Sequence, residues 1–247
     1  TMTPDYEASI LREFGKFVQA GGVYKGKKPV LWCPTDETAL AEAEVEYENH
    51  TSPSVYVKFP FRDILALDLP KDVEEVSVLI WTTTPWTLPA NQAICINPKL
   101  NYAFVKVENQ AYLIAKERVE HVAKACGFSE YSIIREQMGG EYPSHDLEFL
   151  VCKRPLSAGF SHILFGDFVT LDQGTGCVHI APGHGQEDYE LAIKYNGSRY
   201  PSIAGKPLEV FAPVDSRGRF TDEVSEFQGL KVFEANPRIN EKLKALG

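Results

Sequence analysis

The chain has 247 residues, a hydrophobic content of 44% and a formal net charge of -9. Its length and apolar content are sufficient for one large domain, or two small ones, with a substantial core. The acidic charge excludes a general, sequence-independent attraction to nucleic acid, so any contact with RNA must be local or come from other parts of a larger protein.

Five cysteines are spread along the chain, at Cys33, Cys95, Cys126, Cys152 and Cys177. Their number is odd and no Cys-x-x-Cys pair occurs, which argues against a disulfide framework and a structural zinc site. We therefore expect no metal ion and a reducing, cytoplasmic environment. The first residues show no basic region followed by an apolar run, and no apolar run could span a bilayer, so we expect neither a secretory signal nor a membrane partner.

The N-terminal segment predicts an amphipathic helix over 4–20. Thr3 can cap this helix, Pro4 suits its first position, and Gly21 with Gly22 ends it. Its apolar face consists of Ile10, Leu11, Phe14, Phe17 and Val18.

Residues 41–48 alternate apolar residues with glutamates, which predicts a strand with one solvated face although the composition favours a helix. Val55, Val57 and Phe59 continue this alternation. Further strands are predicted at 76–83, 93–97, 102–107, 111–115, 163–170, 176–181 and 208–212. Helices are predicted at 116–126, 185–196 and 234–246.

Many short strands with few helices between them predict a mainly β fold with peripheral helices, of the α+β class, around a closed β-barrel core. We place a flanking helix at 1–22, the compact domain at 23–233 and a second flanking helix at 234–247.

Two segments carry most of the polar chemistry. The first, the threonine segment Trp81–Asn91, contains Thr82, Thr83, Thr84 and Thr87. A threonine run at a strand end is often only a β edge, but Pro85 and Pro89 would stop the strand and make a loop rigid enough to aim hydroxyls. Asn91 is either a turn residue or a hydrogen-bonding partner for a substrate.

The second, the histidine segment Gly174–Tyr189, places His179 in a predicted strand and Glu187 and Asp188 in the first turn of a helix. A strand histidine is more often structural than catalytic. The helix dipole alone accounts for both carboxylates, although a carboxylate near a hydroxyl-rich loop could also bind an ammonium group.

Other chemistries fit the sequence poorly. It contains no Gly-x-Ser-x-Gly elbow, no His-x-x-x-His helical pair and no complete phosphate loop. Cys177 lies in a predicted strand, which favours a core thiol over a nucleophile. The two segments together therefore predict a polar pocket that holds no strong nucleophile.

These two segments, with Leu40–Tyr47, closely resemble the inserted editing domain of class I isoleucyl-tRNA synthetases. Valyl- and leucyl-tRNA synthetases carry related domains, but the run Gly183–Tyr189 is similar to the isoleucyl version. The His-Ile-Gly-His and Lys-Met-Ser-Lys-Ser signatures of the synthetic site do not occur. The resemblance therefore implies the editing insertion alone, with 234–247 leading back toward a catalytic domain that binds ATP in the full-length enzyme.

The resemblance implies proofreading hydrolysis of wrongly attached valine, from the valyl-tRNA(Ile) ester, from valyl-adenylate, or from both. The reaction would use an oriented water, with no covalent intermediate and no cofactor. The implied partners are the tRNA 3′-terminal adenosine carrying valine, valyl-adenylate and the rest of the synthetase chain, and the protein is expected to be a monomer.

Site roles also follow from the resemblance. Asp188 resembles the aspartate that binds the substrate ammonium, His179 the histidine lining the valine pocket, and Trp81 an apolar wall beside it. The hydroxyls around the terminal adenosine, the scissile carbonyl and the water correspond to Thr82, Thr83, Thr84 and Thr87. Asn91 matches another polar editing position. Where some relatives have Cys-x-x-Cys, this chain has Cys33–Asp36, so no metal is expected there.

Two alternatives remain open. Because the chain is acidic, the isolated domain could act mainly as a binding module for the aminoacylated tRNA 3′ end or its analogues. It could also be a valyl-type editing domain that clears threonine.

Overall fold

The computed structural model describes residues 1–140, 147–197 and 207–247. Its helices are α1 (Pro4–Gln19), α2 (Val119–Cys126), α3 (Gln186–Gly197) and α4 (Val232–Leu246). Its strands are β1 (Trp32–Cys33), β2 (Thr38–Ala39), β3 (Val55–Pro60), β4 (Glu75–Thr82), β5 (Ala93–Ile96), β6 (Asn101–Val107), β7 (Gln110–Ala115), β8 (Ser132–Met138), β9 (Val151–Lys153), β10 (Phe160–Phe165) and β11 (Cys177–Ile180).

The strands form two main sheets and one small hairpin. The larger sheet has the order β3-β4-β7-β6-β8, the second has the order β11-β5-β10-β9, and β1 pairs with β2. The pairs β4–β7 and β5–β10 are parallel, and the other neighbours are antiparallel.

The main core contains residues from both sheets. Alternate side chains of each strand reach it, as the period of two requires: Phe59, Val78, Ile80, Ile94, Phe104, Leu113 and Ile163 are all fully buried in one cluster. Cys177 is in this cluster and burial raises the pKa of its thiol, as expected for a core thiol. At one pair of edges the sheets are linked by a bridge between Phe61 and Cys152.

This architecture confirms the predicted α+β class in which sheet predominates. The closed barrel is not found in the described residues, where hydrogen bonding divides the strands into separate sheets. The domain boundaries at 22 and 233 remain predictions. Within the same described ranges, no helix is both long and apolar enough to cross a membrane.

The two terminal helices differ in how they pack. Helix α1 forms as predicted, but Thr3 makes no capping hydrogen bond and the helix buries no residue, so its apolar face is exposed. Helix α4 instead buries Ala235, Asn236 and Ile239. It contacts the short 3-10 helix Pro85–Ala90, which lies inside the threonine segment.

Two predicted strands are wrong. Residues 41–48 contain only a 3-10 turn at Glu42–Glu44, because no neighbouring strand pairs with their backbone. Residues 208–212 are also not a strand. The Asn196 side chain accepts from the Leu208 N–H at 2.8 Å and donates to the Leu208 carbonyl at 2.9 Å, taking the place of a partner strand. Strands β1, β2, β8 and β9 were not predicted.

Candidate functional site

The threonine segment turns sharply where β4 ends at Thr82. The Thr82 hydroxyl accepts a hydrogen bond from the Thr84 N–H at 3.0 Å and lies 3.2 Å from the Thr84 hydroxyl. Pro85 then begins the 3-10 helix, and both the N–H and the hydroxyl of Thr87 donate to the Thr84 carbonyl, at 3.0 and 2.9 Å. The prolines and these four contacts bring the hydroxyls of Thr82, Thr84 and Thr87 together in one turn.

The two segments meet through one buried hydrogen bond. Strand β11 pairs with β5, which follows the threonine segment, and this pairing brings His179 beside Thr87. The Thr87 hydroxyl lies 2.8 Å from Nε2 of His179, and both side chains are buried. Because that hydroxyl donates its only hydrogen to the Thr84 carbonyl, it accepts from Nε2–H, which leaves Nδ1 of His179 as an unprotonated acceptor.

Asp188 lies in the first turn of α3, as predicted, but it also closes the loop before that helix. Its Oδ2 accepts the Ala181 N–H at 2.7 Å, one residue beyond the end of β11. Burial raises the pKa of Asp188 and the neighbouring Glu187 adds to this, while the Ala181 N–H opposes it. This hydrogen bond ties Asp188 to the backbone two residues after His179.

A second contact between the segments was not predicted. The rings of Trp86 and His184 meet edge to face with centroids 4.8 Å apart. The side-chain carbonyl of Asn236, on α4, accepts the backbone N–H of Trp86 at 3.0 Å. Nothing in the spacing of these residues along the chain indicates these contacts.

Both histidines are neutral at pH 7. Burial lowers the pKa of His179 to about 4, and the nearby His184 contributes to this shift. Burial likewise lowers the pKa of His184 to about 4. In the described part of the chain, His179 Nδ1, His184 Nε2 and Trp86 Nε1 are buried without a hydrogen-bond partner.

Trp81 and Gly174 form the third meeting point of the segments. Trp81 is half-buried, and a Cβ on Gly174 would lie 3.2 Å from its Cε3 atom. Gly174 also has φ +69°, which an L side chain rarely adopts. Glycine at this position therefore allows the loop before β11 to pack on the indole.

Two predicted site residues are placed differently from the rest. Asn91 is fully buried, and its amide donates to the Ala93 carbonyl at 2.9 Å and accepts from the Ser161 hydroxyl. Both ends of this side chain therefore bind protein. Thr83 is exposed, and no hydrogen bond of its side chain occurs within the described ranges.

The Cys33–Asp36 turn contains a contact between the Cys33 thiol and the Asp36 carboxylate at 3.3 Å. The described residues contain no cluster of three histidines, cysteines or carboxylates arranged to hold a metal ion. The expectation that this domain uses neither metal nor cofactor remains a prediction.

Comparison with known proteins identifies the family of the chain. The family model for tRNA synthetases class I (I, L, M and V) matches residues 1–204. The isoleucine–tRNA ligase of Desulfovibrio desulfuricans is 47% identical, over 100% of this chain and 25% of that protein. The isoleucine–tRNA ligase of Persephonella marina is also 47% identical, over 100% of this chain and 24% of that protein.

The fold is similar to the crystal structure of GlLeuRS-CP1, with a TM-score of 0.60 at 16% identity. The match covers 78% of this chain and 96% of that one, and at this identity it shows a shared fold alone. The chain spans about a quarter of the length of the ligases that it matches. The resemblance seen in the two segments is thus confirmed: the chain belongs to the class I tRNA synthetase family, as a segment similar to isoleucine–tRNA ligases.

Proposed function

We propose that this chain is an editing domain that hydrolyses valine wrongly attached to the tRNA for isoleucine, as the tRNA ester, as the adenylate, or as both. The observation that carries the proposal is the buried hydrogen bond between Thr87 and His179. It joins the two segments whose residues resemble the editing pocket, in a chain whose relatives are isoleucine–tRNA ligases, and so supports assigning them to one site.

In this proposal Asp188 binds the α-ammonium group of valine. Its Oδ2 is held by the Ala181 N–H, which fixes the direction of the carboxylate. His179 and His184, in the same segment, are neutral at pH 7, so neither ring carries a positive charge that would compete with the substrate cation or repel it. The desolvated carboxylate would therefore gain its counter-charge from the substrate.

The hydroxyls of Thr82, Thr83 and Thr84 would orient the scissile carbonyl, the terminal adenosine and the attacking water. The water oxygen forms a bond to the carbonyl carbon, the bond to the ribose oxygen breaks, and the water proton passes to that oxygen. The products are free valine and uncharged tRNA. Rigid positioning and donor groups for the developing oxyanion lower the barrier without a covalent intermediate.

Side-chain selection would depend on His179 and Trp81. One methylene is worth only ~1–3 kcal/mol in an apolar pocket, a magnitude for which isoleucyl-tRNA synthetases are themselves the standard case. A second pocket that admits valine and rejects isoleucine adds the missing selectivity. The His179 ring, buried and bonded to Thr87, cannot swing aside to admit the larger side chain.

The test compares release of amino acid from valyl-tRNA(Ile) and from isoleucyl-tRNA(Ile), each incubated with the chain. We expect faster release of valine, and loss of that activity in Asp188→Ala. The matched control is Glu187→Ala, since Glu187 is an exposed carboxylate in the same helical turn. Equal rates for the two esters, or full activity in Asp188→Ala, would overturn the proposal.

The same experiment separates the alternatives. Tight binding of the aminoacylated tRNA end without turnover would favour a binding module. Faster removal of threonine from its mischarged tRNA than of valine would favour a valyl-type editing domain.

A further inference from the structure

A cavity lined by two arginines lies beside Gln92, the residue that follows the threonine segment. It has a volume of about 370 Å³, and its lining includes Arg62, Arg154, Gln92, Phe160 and His162. Glu209 is the acidic residue in this lining and is exposed. The cavity therefore has a local excess of positive charge on a chain whose net charge is -9.

Arg154 is half-buried, and no salt bridge joins it to a carboxylate within the described residues. Its Nε donates to the Phe160 carbonyl at 3.1 Å and its Nη2 donates to Oε1 of Gln92 at 3.4 Å. Burial lowers the pKa of Arg154, and the exposed Glu209 carboxylate partly opposes this shift. A desolvated guanidinium bonded only to neutral oxygens is costly, and an anion in the cavity would offset that cost.

Arg62 adds a second cation together with an aromatic surface. Its guanidinium lies over the Phe160 ring, 4.9 Å from the centroid. Phe160 is 42% exposed, so part of the ring is open to solvent. The Arg62 side chain makes no hydrogen bond or ion pair to another described residue, so its donors are available.

The cavity is connected to the candidate site through Gln92. Gln92, which accepts from Arg154, directly follows Asn91, the last residue of the threonine segment. The Gln92 N–H also donates to the Ile180 carbonyl at 2.8 Å, one residue beyond His179. A ligand held by the arginines would therefore lie beside the backbone that carries the site.

We infer that Arg62 and Arg154 bind a phosphate group of a single-stranded RNA, with Phe160 as a stacking surface for an adjacent base. This inference rests on the proposed function, because the strand would be the tRNA 3′ end whose ester is hydrolysed. Guanidiniums bind phosphate oxygens through paired N–H donors. Proteins that bind single-stranded nucleic acid usually combine cations, which contact the phosphates, with exposed aromatic rings, on which bases stack. A free phosphate has no base that could stack on the ring.

The test measures binding of an unacylated, fluorescein-labelled RNA hexamer ending in CCA by fluorescence anisotropy at several salt concentrations. We expect Arg154→Gln and Arg62→Gln each to weaken binding about tenfold at low salt, and each to reduce the salt slope by roughly one. Arg154→Lys keeps the charge but loses the paired donors, so we expect intermediate affinity. The matched control is Arg12→Gln, which removes the same charge from the exposed helix α1.

Arg62→Gln keeps the test decisive if Arg154→Gln fails to fold, since the Arg62 side chain has no hydrogen bond to lose. RNA binding by both variants that equals that of Arg12→Gln would overturn the inference. So would binding of inorganic phosphate at the arginines while RNA affinity is unchanged by either variant. Because the hexamer carries no ester, an arginine-dependent affinity would stand even if valine release were absent, so the two proposals fail separately.

Discussion

The hydrogen bond between Thr87 and His179 can be tested by a substitution that keeps the shape of the side chain. Thr87→Val replaces the hydroxyl by a methyl group and leaves the backbone donor of residue 87 in place. It removes the contact to Nε2 of His179 at 2.8 Å and the contact to the Thr84 carbonyl at 2.9 Å.

The expected loss of stability depends on which hydrogen bonds the Thr84 carbonyl and the His179 ring retain after the substitution. The Thr84 carbonyl still accepts the N–H of residue 87, so this lost contact costs only about 0.5–1.5 kcal/mol. The Nε2–H of His179 loses its partner in a ring that is 8% exposed, which costs about 1–3 kcal/mol. We therefore expect Thr87→Val to reduce the free energy of unfolding by about 1.5–4.5 kcal/mol.

The measurement is urea unfolding at pH 7, followed by fluorescence and by circular dichroism. The matched control is Thr83→Val, because Thr83 is exposed and its side chain makes no hydrogen bond within the described residues; its cost should stay within about 0.5 kcal/mol. If Thr87→Val costs no more than Thr83→Val, the two segments are not held together by this bond and the site must be assembled in another way.

Two further predictions concern the surroundings of this bond. The pKa values of His179 and His184 are lowered to about 4 by burial, so the unfolded chain binds more protons than the folded chain between the ordinary value near 6.5 and 4. The free energy of unfolding should therefore fall as the pH drops from about 6.5 to 4. The urea midpoints at pH 7 and pH 5 should differ less in the double variant His179→Phe/His184→Phe than in the unsubstituted chain. Equal pH dependence of the two proteins would contradict the burial of neutral histidines. Asn236→Ala removes the acceptor of the backbone N–H of Trp86 and should lower the free energy of unfolding by about 1–3 kcal/mol, as measured by urea unfolding. The control is Asn240→Ala, whose buried Oδ1 has no partner among the described residues, and equal costs of the two variants would contradict a specific role of Asn236.

Sequence patterns predicted the central strands because two signals agree there. In β4, β6 and β7 the runs of β-branched and aromatic residues favour strands, and the same residues are buried in the structure. Residues 41–48 have the alternation without a neighbouring strand, and a strand cannot satisfy its backbone alone. At 208–212 the amide of Asn196 supplies the missing backbone partners, which a pattern confined to those five residues cannot reveal.

The candidate site was predictable in its parts and not in its assembly. The resemblance identified the threonine and histidine segments, and the prolines indicated a rigid turn. Which hydroxyl meets His179 depends on the register of β11 against β5, and sequence alone does not determine that register. The contact of Trp86 with Asn236 joins residues 150 positions apart, and only the packing of α4 brings them together.

One physical cause, the burial of the histidine segment, accounts for both unusual electrostatic features of the site. It lowers the pKa of His179 and His184 to about 4 and raises the pKa of Asp188. In the described part of the chain no lysine or arginine forms an ion pair with Asp188, so its ionised form depends on the Ala181 N–H. Such a carboxylate is costly in the free protein and is stabilised most by a cation that enters the same desolvated space. A charged histidine would itself neutralise the Asp188 carboxylate or would repel an incoming cation. Because both rings are neutral, the ammonium group of the proposed substrate can supply the counter-charge.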